Sequence, residues 1–338
     1  MKTRTKKVLW ICLIFLVVGL VGFGGVAFWL YVPYPKDNRA LVQSALQPLA
    51  DLPAQADKIH FLNTGNSDAI LLESDGHFAL IDAAEDTDNP KNTESLALAG
   101  YEEYVLDYVK RVTGGHLDFV LGTHCHSDHI GGFDTLLADP EITVDTVFLK
   151  RYNPEGKNST ERGWDNEEVY AQMVEATNQR GFKLVQDLPD DSFKLGNMDV
   201  TFYNTADRKA ISGGENDNSV ATLVRVNGRS ALLAADMNNW SGDERRTYKE
   251  IGSTVDLVKA GHHSHAGSGS VWFGRGLLPQ YLVVTGKKAH WLNLVNYAVF
   301  ARSTVFISGE TGGTVVTLDA DALHFYQIGA FQTSKDSR

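Results

Sequence analysis

Six of the chain's 11 histidines fall in two short runs, and the first has a spacing that chemistry can use. In Thr123-His124-Cys125-His126-Ser127-Asp128-His129-Ile130-Gly131-Gly132 the pattern is H-x-H-x-D-H. Residues two apart in an extended loop point to the same side, so His124 and His126 can hold one divalent ion. Asp128 and His129 turn back toward a second ion, and Gly131-Gly132 lets the following helix start close to the site. Neutral imidazole with carboxylate is a zinc-type donor set that leaves positions open for water. Two Zn2+ are therefore expected, other divalent metals being compatible with the same donors. A second run, Gly261-His262-His263-Ser264-His265, offers further imidazoles. Cys125 sits between two ligands and is read as a packing residue; with Cys12 as its only fellow, no disulfide framework is expected.

Certain elements must present these loops. Leu117–Leu121 is a buried-type strand that runs straight into the first histidine run, and Val255–Lys259 runs into the second. Lys58–Asn63, Ala69–Ser74 and His77–Asp82 form a hairpin-like series broken at Gly76. Tyr101–Thr113 has apolar residues at helical spacing and stops at Gly114-Gly115; Asn166–Arg180 reads as a helix closed by Gly181. Further strands are expected near Val200–Tyr203, Ser219–Val226, Ser230–Ala234, Leu282–Thr285, Thr304–Ile307 and Thr314–Leu318. Strand clusters separated by helices, in two comparable halves, predict an α/β sandwich.

With these residues in place, the stretch from about Lys58 to Ile328 resembles the metallo-β-lactamase superfamily. The resemblance implies a four-layer αβ/βα sandwich with a two-metal site along one edge. Asp82, closing Ala79-Leu80-Ile81-Asp82, would then accept a hydrogen bond from a ligand and orient it. Asp236, ending Ser230–Asp236, would bridge the two ions. Many members place a histidine between the first loop and the bridging aspartate, yet none occurs here between Gly132 and Asp236. The resemblance allows His262 to fill that place. The order of an aspartate followed by a His-His pair is similar to teichoic-acid phosphorylcholine esterases and to the extracellular domain of competence DNA-uptake proteins. Lys58-Ile59-His60-Phe61, Asp68–Ser74, Gly76–Ala79 and Asn158–Asn166 look most like the esterases.

That likeness implies a first position of His124, His126 and His262, and a second of Asp128 and His129, with Asp236 shared and His290 as a last ligand. Asp128 also stands as a catalytic carboxylate, and His263 and His265 as general acids or phosphate donors. A hydroxide between the ions would be the nucleophile, because a bound metal lowers the pKa of water toward about 7. Trp164, Asp165 and Trp291, with Tyr170 one turn into the helix, would form a partial cage for a choline head group. His60, His77, His116 and His324 are read as structural or surface residues. The expected activity is a metal-dependent phosphoesterase or phosphodiesterase. Its substrate would be a cell-wall, lipid or small phosphodiester. A DNA-uptake-type nuclease and a lactonase or other hydrolase of the same fold are the alternatives, and a binding module without catalysis stands further off.

Charge and hydropathy bear on the partners. Lys and Arg number 31 against 42 Asp and Glu, a formal charge of -11, and four of the positives precede Val8. So acidic a body argues against nucleic acid held by a broad electrostatic field. Val8–Val32 is 25 residues without a charge, where roughly 20 would span a bilayer core. Basic residues only on its N-terminal side place the N-terminus in the cytoplasm. The expected organisation is a basic tip at 1–7, an uncleaved transmembrane anchor at 8–32, a stalk at 33–57 with a short helix around Ala40–Leu49, the hydrolase domain at 58–330 and a polar tail at 331–338. The protein would then be a single-pass protein of a bacterial cell membrane, with its catalytic domain extracellular. In intact cells a membrane-impermeant label should reach the region after Pro35 while the protein stays in the membrane fraction. Recovery of a soluble form beginning near residue 30 would instead indicate a cleaved signal.

Overall fold

Alternation along the strands explains the layering. In β4 (His77–Ala83), Ala79 and Ile81 face one hydrophobic cluster while Leu80 faces another. In β11 (Arg229–Leu233), Ala231 and Leu233 join the cluster of Ala79 and Ile81, whereas Leu232 enters a third. Both strands are thus apolar on both faces, as strands covered on two sides must be. The computed structural model describes residues 34–87, 99–156, 158–207 and 214–329.

Two sheets share the central cluster. The nine-stranded sheet runs in space β1 (Leu46–Pro48), β16 (Leu323–Gln327), β15 (Thr314–Leu318), β2 (Lys58–Phe61), β3 (Ala69–Ser74), β4, β5 (His116–Gly122), β6 (Thr143–Leu149) and β7 (Lys183–Val185). The seven-stranded sheet runs β14 (Thr304–Ile307), β13 (Tyr281–Val284), β12 (Leu257–Lys259), β11, β10 (Ala221–Val226), β9 (Met198–Tyr203) and β8 (Phe193–Leu195). The helices Glu102–Thr113, Phe133–Ala138 and Asn166–Arg180 cover the outer face of the first sheet through Val105, Val109, Phe133, Leu136, Val169 and Met173. Phe273, Leu277, Leu294 and Tyr297 cover the outer face of the second. This is the mixed α/β sandwich expected of the resemblance, its layers running helix, sheet, sheet, helix.

Strands β4, β5 and β6 are mutually parallel, as are β11, β12, β13 and β14. The loops leaving their C-terminal ends meet where the two sheets adjoin, which is where open α/β sheets place ligands.

The expected anchor at 8–32, the basic tip and the polar tail lie outside the described residues. Among the described residues no helix is long and apolar enough to cross a membrane. The segment read as a stalk is folded onto the domain from Tyr34 onward. Its helix spans Tyr34–Ala45 instead of the expected 40–49, and it lies on β14, the edge of the seven-stranded sheet. Buried Asn38 donates its amide to the Val305 carbonyl at 2.8 Å and accepts the Val305 N–H at 2.6 Å, as a neighbouring strand would. The Tyr34 hydroxyl donates to the Ser303 carbonyl. The chain then adds β1 in parallel to β16, with Pro48 ending this new edge. One segment therefore seals an edge of each sheet, and proline blunts what is left. Asn38→Ala leaves two main-chain groups of β14 without this partner, so it should cost about 1–3 kcal/mol in chemical denaturation. Metal content should be unchanged.

Candidate metal centre

Each donor is delivered by a short turn after a strand. β5 ends at Gly122 and delivers His124 and His126; the four-residue helix Ser127–Ile130 then presents Asp128 and His129. That turn must lie against the end of β4. A Cβ on Gly132 would sit 2.3 Å from the Ala83 carbonyl oxygen, and one on Gly131 would sit 2.5 Å from that of Ser127. The glycines permit this close approach. β11 delivers Asp236 through Ala235, held at φ 48°. β12 delivers the second histidine run, where His262, His263 and Ser264 are at φ 49°, 48° and 65°. Three successive left-handed non-glycine residues are costly and mark a turn that the surroundings impose.

Donor atoms converge in two groups that share one carboxylate. Asp128, His129, Asp236 and His263 form one, and His124, His126 and Asp236 the other, each with ligand atoms within 4.8 Å of one another. His124 Nε2 lies 3.0 Å from His126 Nδ1. Asp236 Oδ1 lies 3.1 Å from His129 Nε2 and 3.4 Å from His263 Nε2. His263 Nε2 is also 3.5 Å from Asp128 Oδ2.

Each of these rings has its other nitrogen occupied, which assigns the tautomer. His129 Nδ1–H donates to Asp82 at 2.7 Å, and His263 Nδ1–H to the Thr285 carbonyl at 2.7 Å. His124 Nδ1 meets the Thr123 hydroxyl at 3.1 Å, and that hydroxyl donates to Asp82 at 2.8 Å. His126 Nε2–H donates to Glu161 at 2.9 Å. His129 Nε2, His263 Nε2 and Asp236 Oδ1 are buried without a hydrogen-bond partner. Buried polar atoms in that condition need a counterpart, and a divalent cation between imidazole and carboxylate supplies one. The donor set fits a metal.

Electrostatics agree. Burial works against a charged ring at His129, yet Asp236 and Asp82 push its pKa well above the histidine range. Burial likewise opposes charge on Asp236, while His263, His129 and His262 hold its carboxyl well below the usual range. A metal ion would take the place of the proton on His129. Burial, with His129 and His126 adding to it, drops the His124 pKa well below the ordinary value, so this ring is a neutral donor.

The other residues singled out from sequence are distributed as follows. Asp82 accepts from His129, the Thr123 hydroxyl and the Thr123 N–H. His262 Nε2 is 3.8 Å from Asp236 Oδ2, beside the first group, and 3.3 Å from the Asn216 amide; its Nδ1 has no hydrogen-bond partner. His263, read as a general acid, lies among the donors of the second group, the place proposed for His290. His290 instead packs against His265, centroids 4.2 Å apart and planes tilted by 40°, its main-chain N–H donating to the Ser264 hydroxyl at 2.8 Å. The expected cage is divided. Trp164 meets the His126 ring edgewise at 5.1 Å, and buried Asp165 precedes the helix Asn166–Arg180. Trp291 packs on Tyr34 at 5.4 Å. Tyr170 packs on Tyr152 at 5.7 Å and lines an outer hollow of about 580 Å³ with Val174 and Pro154.

Sequence reasoning passed over Glu161, Asp68 and Lys259. Glu161 is 2% exposed and also accepts the N–H groups of Glu215 at 2.8 Å and Asn158 at 3.1 Å. Beside it, burial raises the pKa of Glu215, whose carboxylate side faces the Cys125 N–H. The readable signals were lone charges at the ends of apolar strands, Asp68 before Ala69–Leu72 and Lys259 after Leu257-Val258.

The profile of the metallo-beta-lactamase superfamily matches residues 62–237, more than half of the chain. No curated protein matches the chain. Among solved structures it is similar to the metallo-beta-lactamase fold protein YhfI from Bacillus subtilis, at 16% identity over 77% of this chain and 99% of that one, with a TM-score of 0.50. It is also similar to CmlA, a diiron beta-hydroxylase from Streptomyces venezuelae, at 16% identity over 72% of this chain and 48% of that one, with a TM-score of 0.42. Human tRNase Z, short form, matches at 14% identity over 60% and 77% of the two chains, with a TM-score of 0.36.

Glu161→Ala should weaken the first metal equivalent about 10–100-fold, because the carboxylate fixes the tautomer and raises the basicity of His126. Glu161→Gln, which retains an acceptor without the charge, should fall between; metal titration followed by isothermal calorimetry reads both. The shared aspartate, the oriented imidazoles and the matched profile together make this chain a member of the metallo-beta-lactamase superfamily, whose members are generally metal-dependent hydrolases.

Proposed function

We propose that the protein is a dinuclear metal-dependent phosphoesterase acting on a phosphodiester, with Zn2+ as the resident ion. The observation that carries this reading is Asp236 standing in both donor groups, one oxygen toward His129 and His263, the other toward His262. Two ions at such a site would supply an activated water and neutralise charge on the phosphoryl and leaving oxygens. The chain's own residues do the rest. Asp82, Thr123, Glu161 and Thr285 hold the ligand rings in one tautomer each. Trp164 places an aromatic ring against His126, beside the first donor group. Phosphodiester chemistry is favoured over lactam or lactone opening by the order of an aspartate followed by a His-His pair, and a nuclease is disfavoured by the acidic body. The choline head of a phosphocholine ester, which stays on the phosphate as the other alcohol leaves, would find Trp164 and Asp165 near the site, while Trp291 and Tyr170 lie elsewhere. The membrane anchor and the extracellular domain belong to the same proposal, on the strength of Val8–Val32 and its flanking charges.

The metal-loaded protein should hydrolyse p-nitrophenyl phosphocholine and bis-p-nitrophenyl phosphate, and leave a cephalosporin and DNA untouched. Trp164→Ala should reduce a preference for the choline ester by a factor corresponding to about 1–2 kcal/mol, with metal content unchanged. Turnover of the cephalosporin alone would replace this reading with a lactamase, and turnover of DNA alone with a nuclease.

A further inference from the structure

Asp68 and Lys259 are each fully buried, one from each sheet. Asp68 precedes β3 and Lys259 closes β12. Their side chains form an ion pair across the seam between the sheets. Burying a lysine is costly unless its charge is met, and packing alone would be served by an apolar side chain.

The pair reaches all four donors of the second group. Lys259 Nζ donates to the Ala235 carbonyl at 2.8 Å and lies 3.7 Å from Asp236 Oδ1. It therefore holds the strained turn at Ala235 that delivers the shared carboxylate. The Asp68 N–H donates to the Asp128 carbonyl at 3.0 Å. Its carboxylate lies 3.4 Å from His263 Nδ1 and 3.8 Å from His129 Nδ1. His124 and His126 hydrogen-bond to Thr123 and Glu161, and His129 and His263 to Asp82 and Thr285, so what the pair adds at the second group is charge and the brace at Ala235.

We propose that Asp68 and Lys259 are positioning residues for the second metal position, acting as one neutral pair. Lys259 braces the turn that carries Asp236, the Asp68 carboxylate lies against the His263 and His129 rings that Thr285 and Asp82 hold, and each cancels the other's charge. The inference rests on the two-ion reading above. Cancellation has a consequence that a purely structural pair would lack. Without the Asp68 charge, a fixed ammonium faces the cation position and repels the ion at short range in a low dielectric. Without Lys259, a surplus carboxylate attracts the ion while the Asp236 turn loses its brace.

The test is titration of the full chain, freed of metal, with Co2+, read by its visible ligand-field spectrum and by bound-metal analysis. Wild type should fill in two steps. Asp68→Asn should leave the first step unaltered and weaken the second by more than about 10-fold. Lys259→Met should weaken the second step less than Asp68→Asn does. The charge-balanced Asp68→Asn/Lys259→Met variant should recover part of the loss seen in Asp68→Asn, and it keeps the test open if a single variant fails to fold. A double variant with the wild-type second step, or an Asp68→Asn variant that weakens both steps equally, would overturn the proposal. So would a larger loss in Lys259→Met than in Asp68→Asn. A wild type that takes up one ion would remove the two-ion reading itself, and this inference with it.

Discussion

The constraint on which the rest depends is the burial of carboxylates. Asp68, Asp82 and Asp236 are at most 1% exposed, and Asp128 stands beside them. Removing a carboxylate from water costs several kcal/mol even after relaxation, and each must be met by a cation or by donors. Lys259 meets Asp68, while Thr123 and His129 meet Asp82. Asp236 and Asp128 are met by the imidazoles of His129 and His263, whose Nδ1 atoms are held by Asp82 and Thr285. What is left over is negative, and that surplus makes the pocket a cation site before any particular ion is considered. The need to keep every donor fixed accounts for the strained turns at Ala235 and His262–Ser264.

The two-sheet architecture follows from the same need. Neither sheet alone brings enough donors to one place. The nine-stranded sheet supplies Asp82 and the loop from His124 to His129; the seven-stranded sheet supplies Asp236 and His263. The sheets are joined by the apolar cluster containing Phe61, Ile81, Leu121, Phe202, Val224 and Phe306. At roughly 25 cal/mol per Å² of apolar surface buried, such a cluster has the energy to hold strained turns in place. Covering one edge of each sheet with Asn38 and β1 blunts that edge against pairing with other chains.

Much of this was legible in the sequence, for identifiable reasons. Thr304–Ile307, Thr314–Leu318 and the helix Asn166–Arg180 were read to the residue, because their patterns end at turn or glycine signals. The H-x-H-x-D-H loop announces its own chemistry, since its donors are neighbours in the chain. The helix Tyr34–Ala45 was misjudged because its role depends on one side chain, Asn38, meeting a strand that lies 267 residues away. Asp68, Lys259 and Glu161 were passed over for a similar reason: a single charged residue has no periodicity, and only the fold shows what it faces. The relative places of His262, His263 and His290 were also beyond sequence, because left-handed turns at successive non-glycine residues are set by tertiary contacts.

The two donor groups differ in how they relate to folding. His124 and His126 lie two residues apart, so an unfolded chain already holds much of the first group in one place. The second group joins Asp128 and His129 to Asp236 and His263, residues more than a hundred positions away, through two sheets and a buried ion pair. Only the folded chain contains either group whole, because both need Asp236. An ion that binds both folded and unfolded forms stabilises little, whereas one that binds the folded form alone adds about 2.7 kcal/mol at a hundred times its dissociation constant. Ion binding at either position would therefore be coupled to the docking of the two halves, and more strongly at the second, where two of the four donors come from the far half. The seam between the sheets, where Asp68 meets Lys259, would then be tightened most by the ion at the second position.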